Sequence, residues 1–231
     1  LDMYYNVGLM SDSGANLLGE SSGIFNYRNR WSDFELSTLS FGYGISVTAL
    51  QLAKMYSILG DGGIKRPLSI IKPDGPVESE RVISEHSTRQ VLHMMESVLQ
   101  EGGSAEKASV PGYRVAGKTG TSQVRNISAA ERRSGVVRNA DLPWERRDHA
   151  LFVNFAPADN PKYAVAVIIE HGGGGSTTAA PIARDITLQA LYGGKPPLDA
   201  YPSKDRGRIR GQQKRLEKVR PTAAIGGKDN T

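Results

Sequence analysis

Apolar positions recur at two different periods along this chain, and the change of period divides it. Between residues 48 and 59, Leu50, Ala53, Met55, Tyr56, Ile58 and Leu59 make a broad helical face, wide enough to be buried on more than one side. Thr48 with Gln51 three residues on has the capping-box pattern, and Gly60-Asp61-Gly62-Gly63 stops the helix. A second helix begins at Ser84-Glu85-His86-Ser87. It carries Val91, Leu92, Met94, Met95, Val98 and Leu99 at helical spacing and ends at Gly102-Gly103. The period then falls to two. Tyr113, Val115 and Gly117 point one way, and Arg114, Ala116 and Lys118 the other, which is a strand running into Lys118-Thr119-Gly120-Thr121.

Two further strands follow at 150–157 and 163–170, joined by the turn Asp159-Asn160-Pro161 into an antiparallel hairpin. The second is nearly all apolar, as in a central strand. Gly172 to Gly175 reads as a hinge-like loop. Ser176 or Thr177 then caps an amphipathic helix through Ala180, Ile182, Ala183, Ile186, Leu188 and Leu191. Residues 1–45 have no long period. Met3 to Met10 read as the end of a helix and Gly14 to Gly23 as a loop. The aromatics Phe25, Tyr27, Trp31, Phe34, Phe41 and Tyr43 mark either a surface segment pinned to a core or the lining of a cleft. Ile64 to Ile71 is a short extended piece. Residues 125–148 form a polar connection long enough to be functional or mobile.

Composition changes this picture in three places. No run of 18 apolar residues exists, and the first residues, Leu1-Asp2-Met3, are neither a signal peptide nor an initiator; they read as a cut inside a longer chain. There is no cysteine, so neither disulfides nor thiolate metal sites arise. The net charge of +5 is concentrated: residues 203–231 hold nine Lys/Arg against three Asp/Glu and carry +6, leaving −1 on residues 1–202. The expected organisation is one domain over 1–202 and a basic, solvated, disordered or partly helical tail over 203–231. Nucleic-acid binding by that tail is the disfavoured reading, because it has no interleaved aromatics.

The candidate chemistry lies at Lys118–Thr121. Gly117 and Gly120 flank the lysine and are expected to leave one strand face bare for a close-lying peptide. A lysine neutralises a carboxylate as a point charge, and the Thr119 and Thr121 hydroxyls hydrogen-bond it. The Thr121 backbone N–H is placed to hold a developing oxyanion. The bland reading is a strand ending in a turn. Ser104-Ala105-Glu106-Lys107 matches Ser-x-x-Lys, but it follows a Gly-Gly stop and nothing buries Lys107, so it is rejected as a nucleophile–base pair. His149 and His171 sit beside strand ends without a triad to join. No metal-ligand spacing and no phosphate loop occur, and Phe41-Gly42-Tyr43-Gly44 lacks the third glycine of a dinucleotide site. No cofactor is expected.

Lys-Thr-Gly is one of the three motifs that together mark penicillin-binding proteins and class A β-lactamases. The order around it, helices, the Lys-Thr-Gly strand, a hairpin and a last helix, resembles the C-terminal part of the transpeptidase domain of class B penicillin-binding proteins. Arg30-Trp31-Ser32-Asp33, Phe41-Gly42-Tyr43-Gly44, Val47 to Ala53, Arg66 to Ile70 and His93 to Val98 resemble the septal, penicillin-binding protein 3-like branch. After the motif, Val124 to Phe152, Glu170 to Gly175 and Pro196-Pro197-Leu198-Asp199 resemble the elongation, penicillin-binding protein 2-like branch.

The resemblance implies an α+β fold: an antiparallel sheet flanked by helices, here incomplete, with the N-terminal strands and the nucleophile helix missing. It implies a serine-type D,D-transpeptidase that binds D-Ala-D-Ala stem peptides and β-lactams and cross-links peptidoglycan. Lys118, Thr119, Gly120 and Thr121 would bind the substrate, with the Thr121 N–H in the oxyanion hole. It also implies an inner-membrane anchor with a periplasmic catalytic domain, and division or elongation machinery as partners. No Ser-x-Asn occurs in the chain, so residues 1–231 alone are expected to be inactive. A noncatalytic peptidoglycan or β-lactam binding module is the alternative. The strand at 163–170 is expected to have an unpaired edge.

Overall fold

The structure, a computed structural model, describes residues 1–219. The first part is helical with two short ribbons. Helix α1 (Asp2–Asn6) is followed by β1 (Ile24–Phe25), α2 (Asp33–Leu39) and β2 (Ile45–Ser46), β1 pairing with β2. Next come α3 (Ala49–Gly60), β3 (Ile64–Lys65), β4 (Glu80–Arg81) and α4 (Glu85–Ser97), with β3 pairing with β4. The central sheet is β5 (Ala116–Ser122), β6 (His149–Ala156) and β7 (Tyr163–Ile169), antiparallel in the order β5-β6-β7. Helix α5 (Ala129–Ser134) lies in the β5–β6 connection. Helix α6 (Ala180–Tyr192) follows the sheet, and α7 (Arg206–Val219) follows α6.

The capping box expected for α3 forms as the sequence writes it. Thr48 accepts from the Gln51 N–H at 3.1 Å, and the Gln51 side chain accepts from the Thr48 N–H at 2.8 Å. Gln51 is fully buried because its amide also donates to the carbonyls of Ser11 (2.6 Å) and Ser22 (2.9 Å), which ties the N-terminal loop to α3. Ser84 caps α4 through the Ser87 N–H. Helix α2 lies where only loop was expected. Its signal is Ser32 with Glu35 three residues on, a complete capping box.

The sheet is packed on both faces. On one, Ala150, Phe152 and Ala156 of β6 and Val167 of β7 meet Ala180, Ala183 and Leu188 of α6. The alanines let the helix approach closely. On the other, Ala116 and Phe155 meet Met95 of α4, with Tyr56 and Leu59 of α3 beside them. Phe152 and Phe155 are both fully buried, each contributing on the order of 2–3 kcal/mol. The alternation expected for β5 holds: Val115 packs in the α6-side core and Ala116 in the α3–α4-side core. The strand expected to be central, β7, pairs only with β6, so its outer edge has no strand partner among the described residues. It is apolar because both its faces are covered, not because strands lie on both sides.

Residues 203–219 are helical and docked rather than disordered, which is the partly helical alternative expected for the tail. Ser203–Asp205 is a 3-10 turn and Arg206–Val219 is α7, with Ile209 only 3% exposed in the α6-side core. The anchor is Arg184 of α6, whose side chain is fully buried and bonds Asp185 (2.8 Å), Asp205 (2.5 Å) and the Lys107 carbonyl (3.2 Å). Arg206 donates to the Tyr201 carbonyl, and Gln213 to that of Pro196. A count of charge along the chain hides this, since one apolar residue and one buried ion pair do the docking. The remainder of the expected tail, residues 220–231, lies outside the described residues.

Candidate active site

The site is built on an edge strand. Lys118 pairs with Val153, Thr119 with Phe152, Gly120 with Leu151 and Thr121 with Ala150, all on the β6 side. The other edge of β5 has no strand partner among the described residues, so alternate residues turn their N–H and C=O groups outward. Lys118 and Thr121 are exposed, and Thr119 is half-buried. The Lys118 ammonium folds back along the strand and donates to the Thr119 carbonyl at 2.7 Å. It has no carboxylate partner among the described residues.

The glycines do something other than expected. Gly117 and Gly120 stand at odd and even positions of the pleat, so they do not bare one common face. A Cβ at Gly117 would lie 2.7 Å from the Phe152 ring and 2.9 Å from the Val153 carbonyl, so that glycine makes room for the core. At Gly120 the close approach comes from within the chain. A Cβ on Gly175 would lie 2.3 Å from the Gly120 oxygen and 2.3 Å from the Leu151 oxygen. Gly175 opens a single π-type turn, Gly175–Ala179, that leads into α6. No Ser or Thr side chain caps that helix. The turn seats the start of α6 directly on the Lys-Thr-Gly strand.

The end of β5 is fixed from two sides by residues that the sequence did not bring together. The Tyr43 hydroxyl donates to the Gln123 side chain, across 80 residues of sequence. Phe41 and Tyr43 meet edge to face at 5.6 Å, and both are more than half exposed. The aromatic turn at 41–44 therefore borders the strand end. On the other side the Val124 N–H donates to Asp148. Asp148 also accepts from the Asn139 side-chain amide (2.9 Å), while its own N–H donates back to the Asn139 side-chain Oδ1 (2.9 Å).

The long polar connection is thereby folded. Arg125 bonds Glu131 through two hydrogen bonds of 2.7 Å, and Ser128 caps α5. The hydrogen bond from Arg125 holds the Glu131 carboxyl below the usual carboxylate range, helped by the Val137 N–H. His149 and His171 are engaged with backbone. The His149 Nδ1 accepts from the His171 N–H at 2.8 Å, and the His171 Nδ1 lies 3.2 Å from the Arg147 carbonyl. Trp144 packs on the His171 ring, centroids 4.2 Å apart.

Neither serine–lysine match resembles a nucleophile with its base. Ser104 and Lys107 are exposed, and Lys107 lies in a 3-10 turn, Glu106–Ala108. A second literal match, Ser69-Ile70-Ile71-Lys72, lies in an exposed segment with Ile70 and Ile71 70% and 80% exposed. Among the described residues no group of His, Asp and Glu side chains could hold a metal ion, and no helix is long and apolar enough to cross a membrane.

Residues 1–188 match the penicillin binding protein transpeptidase domain. The chain is 40% identical over 194 residues to the peptidoglycan D,D-transpeptidase FtsI of Escherichia coli, covering 84% of this chain and 31% of that protein. It is 34% identical over 184 residues to the probable peptidoglycan D,D-transpeptidase PenA of Neisseria gonorrhoeae, covering 78% and 29%. The transpeptidase domain of penicillin-binding protein 3 from Burkholderia pseudomallei superposes with a TM-score of 0.68 at 32% identity, over 82% of this chain and 56% of that one. The chain thus spans about a third of the length of the curated relatives it matches. Fold, strand order and matched residues agree, and the chain belongs to the transpeptidase-domain family of class B penicillin-binding proteins.

Proposed function

We propose that residues 1–231 supply the carboxylate-binding part of a peptidoglycan D,D-transpeptidase. The observation that carries this reading is the open edge of β5 with an exposed, carboxylate-free Lys118 and an exposed Thr121 on it. In the reaction a serine attacks the carbonyl of the penultimate D-Ala of a stem peptide. The carbonyl oxygen gathers negative charge, the C–N bond to the last D-Ala breaks, and an amine of a second stem peptide takes the acyl group. The terminal carboxylate of the donor draws the Lys118 ammonium off the Thr119 carbonyl and is also bonded by the Thr119 and Thr121 hydroxyls. The Thr121 N–H stabilises the oxyanion, a donor worth roughly 3–4 kcal/mol in comparable sites. Gly120 keeps its backbone against Gly175 and so holds the edge straight. β-Lactams, which carry a carboxylate beside a reactive carbonyl, occupy the same groups.

The attacking serine is not among residues 1–231 in this reading. Both Ser-x-x-Lys matches leave their lysines exposed, and no Ser-x-Asn occurs. The same observation favours the second reading, a noncatalytic module that binds peptidoglycan or β-lactams through the same edge. The likeness to peptidoglycan D,D-transpeptidases supports the further proposal that the whole protein is anchored in the inner membrane with this domain in the periplasm and works with division or elongation proteins.

The test is an NMR titration of the chain with a diacyl-Lys-D-Ala-D-Ala peptide, beside mass spectrometry after exposure to penicillin. Amide shifts at Lys118–Thr121 that Lys118→Ala weakens, with no penicilloyl adduct, are the expected result. No shifts on that strand at millimolar peptide overturn the site, and a stoichiometric adduct overturns the absence of the serine.

A further inference from the structure

Helix α7 carries its charge on one side. Ile209 faces the core and Gln213, one turn on, donates to the Pro196 carbonyl, which fixes the inner side. At 3.6 residues per turn Arg210, Lys214, Arg215 and Lys218 fall within an arc of roughly 140° on the opposite side. All four are exposed, and no ion pair reaches any of them among the described residues. The nearest carboxylate on the helix, Glu217, is held by Lys195 at 2.5 Å. Arg210, Lys214 and Lys218 repeat every four residues, a like-charge ladder that repels itself along the helix. An anionic occupant would relieve it.

The outer face limits what that occupant is. Residues 203–219 contain no aromatic side chain, so bases have nothing to stack on. Among the described side chains of α7, Leu216 is the one exposed large apolar residue, so they offer no apolar face to sink into a bilayer. A protein interface needs an apolar centre, which four cations do not provide. What remains is a charge-only row of about 12 Å, from Arg210 to Lys218, suited to a flexible chain of spaced anions.

We propose that the outer face of α7 is a docking surface for a carboxylate-bearing glycan–peptide polymer. The inference rests on the function proposed above, because that polymer is its substrate class. As a second, weak contact on the same chain, the face raises the local concentration of stem peptides for the Lys118 edge.

The experiment is co-sedimentation of the chain with purified peptidoglycan over a range of salt. Binding is expected to weaken by about tenfold or more between roughly 50 and 200 mM salt, as for other contacts made by several cations. The variant R210Q/K214Q/R215Q/K218Q is expected to bind about tenfold more weakly at low salt while keeping its far-UV helical signal, since glutamine is a good helix former. K214Q/K218Q is expected to fall between, so the result does not hang on one variant folding. Unchanged binding of the fourfold variant overturns the proposal. So does equal binding of the unmodified chain to duplex DNA or to acidic phospholipid vesicles at the same salt. The Lys118–Thr121 amide shifts with the D-Ala-D-Ala peptide separate the two readings. Absence of salt-dependent polymer binding by the unmodified chain, with those shifts present, overturns the docking face alone, and absence of the shifts overturns the function on which it rests.

Discussion

Gly175 lies so close to Gly120 that a side chain on Gly175 would change the site. A Cβ on Gly175 would stand 2.3 Å from two carbonyl oxygens, those of Gly120 and Leu151, and both belong to the backbone of a paired ladder that cannot step aside. Gly175→Ala is therefore expected to destabilise the fold by about 2–3 kcal/mol, the range of overpacking. It should also shift the β5 amides in NMR spectra. Gly194→Ala, where a Cβ meets nothing within 4 Å, is the control and should be nearly neutral. Equal stability of the two variants in urea would show that the α6 turn does not rest on the strand.

The buried amide of Asn154 donates to the Thr187 hydroxyl at 2.8 Å, joining β6 to α6 inside the core. Asn154 Oδ1 has no partner among the described residues, so this bond is the one that offsets the burial of the amide. Thr187→Val keeps the shape and removes the acceptor. It is expected to cost about 1–3 kcal/mol in denaturant unfolding, the cost of an unsatisfied buried polar group. A cost under a few tenths would mean that water already serves the amide.

Arg184 is buried with its charge divided between Asp185 and Asp205. Of the two carboxylates, Asp205 is the one in the segment that leads into α7. Asp205→Ala leaves a buried guanidinium with half its partners and should destabilise by about 3 kcal/mol. Hydrogen exchange should rise first in residues 206–219. If α7 stays protected while the rest of the chain loosens, Ile209 rather than the ion pair is the anchor.

The Arg125–Glu131 pair closes the connection beside the end of β5. The Glu131 carboxyl is held below its usual range by the Arg125 hydrogen bond, so its folded pKa lies under its unfolded one. The pair's contribution is then present above the unfolded value and is lost as pH falls through the folded one. Amide exchange over residues 125–137 is expected to quicken on acidification through that window. Glu131→Gln should remove the acid step and leave fast exchange at every pH. An unchanged profile in Glu131→Gln would assign the step to another carboxylate.

Much of the architecture is local in origin and so legible residue by residue. The capping boxes at Thr48 and Ser32 satisfy orphan N–H groups three residues away. The period-two run into Lys118 alternates between two cores because a strand has two faces. The hairpin of β6 and β7 follows from two apolar runs and a turn. These signals are short-range, and the family motif is one continuous tetrapeptide, so the sequence by itself determined the order of α3, α4, the Lys-Thr-Gly strand, the hairpin and α6, together with the family and the strand that carries the candidate site.

The tertiary structure decided whatever depends on residues far apart meeting. Gly120 looks like room for a ligand until Gly175, 55 positions on, is found against it. Tyr43 finds Gln123, and Asp148 reaches back to Val124, across separations on which no periodicity bears. A run of cations reads as a solvated tail until Arg184 and Asp205 meet and Ile209 enters the core. Burial and pairing are properties of packed neighbours, and the chain names its neighbours only once it has folded.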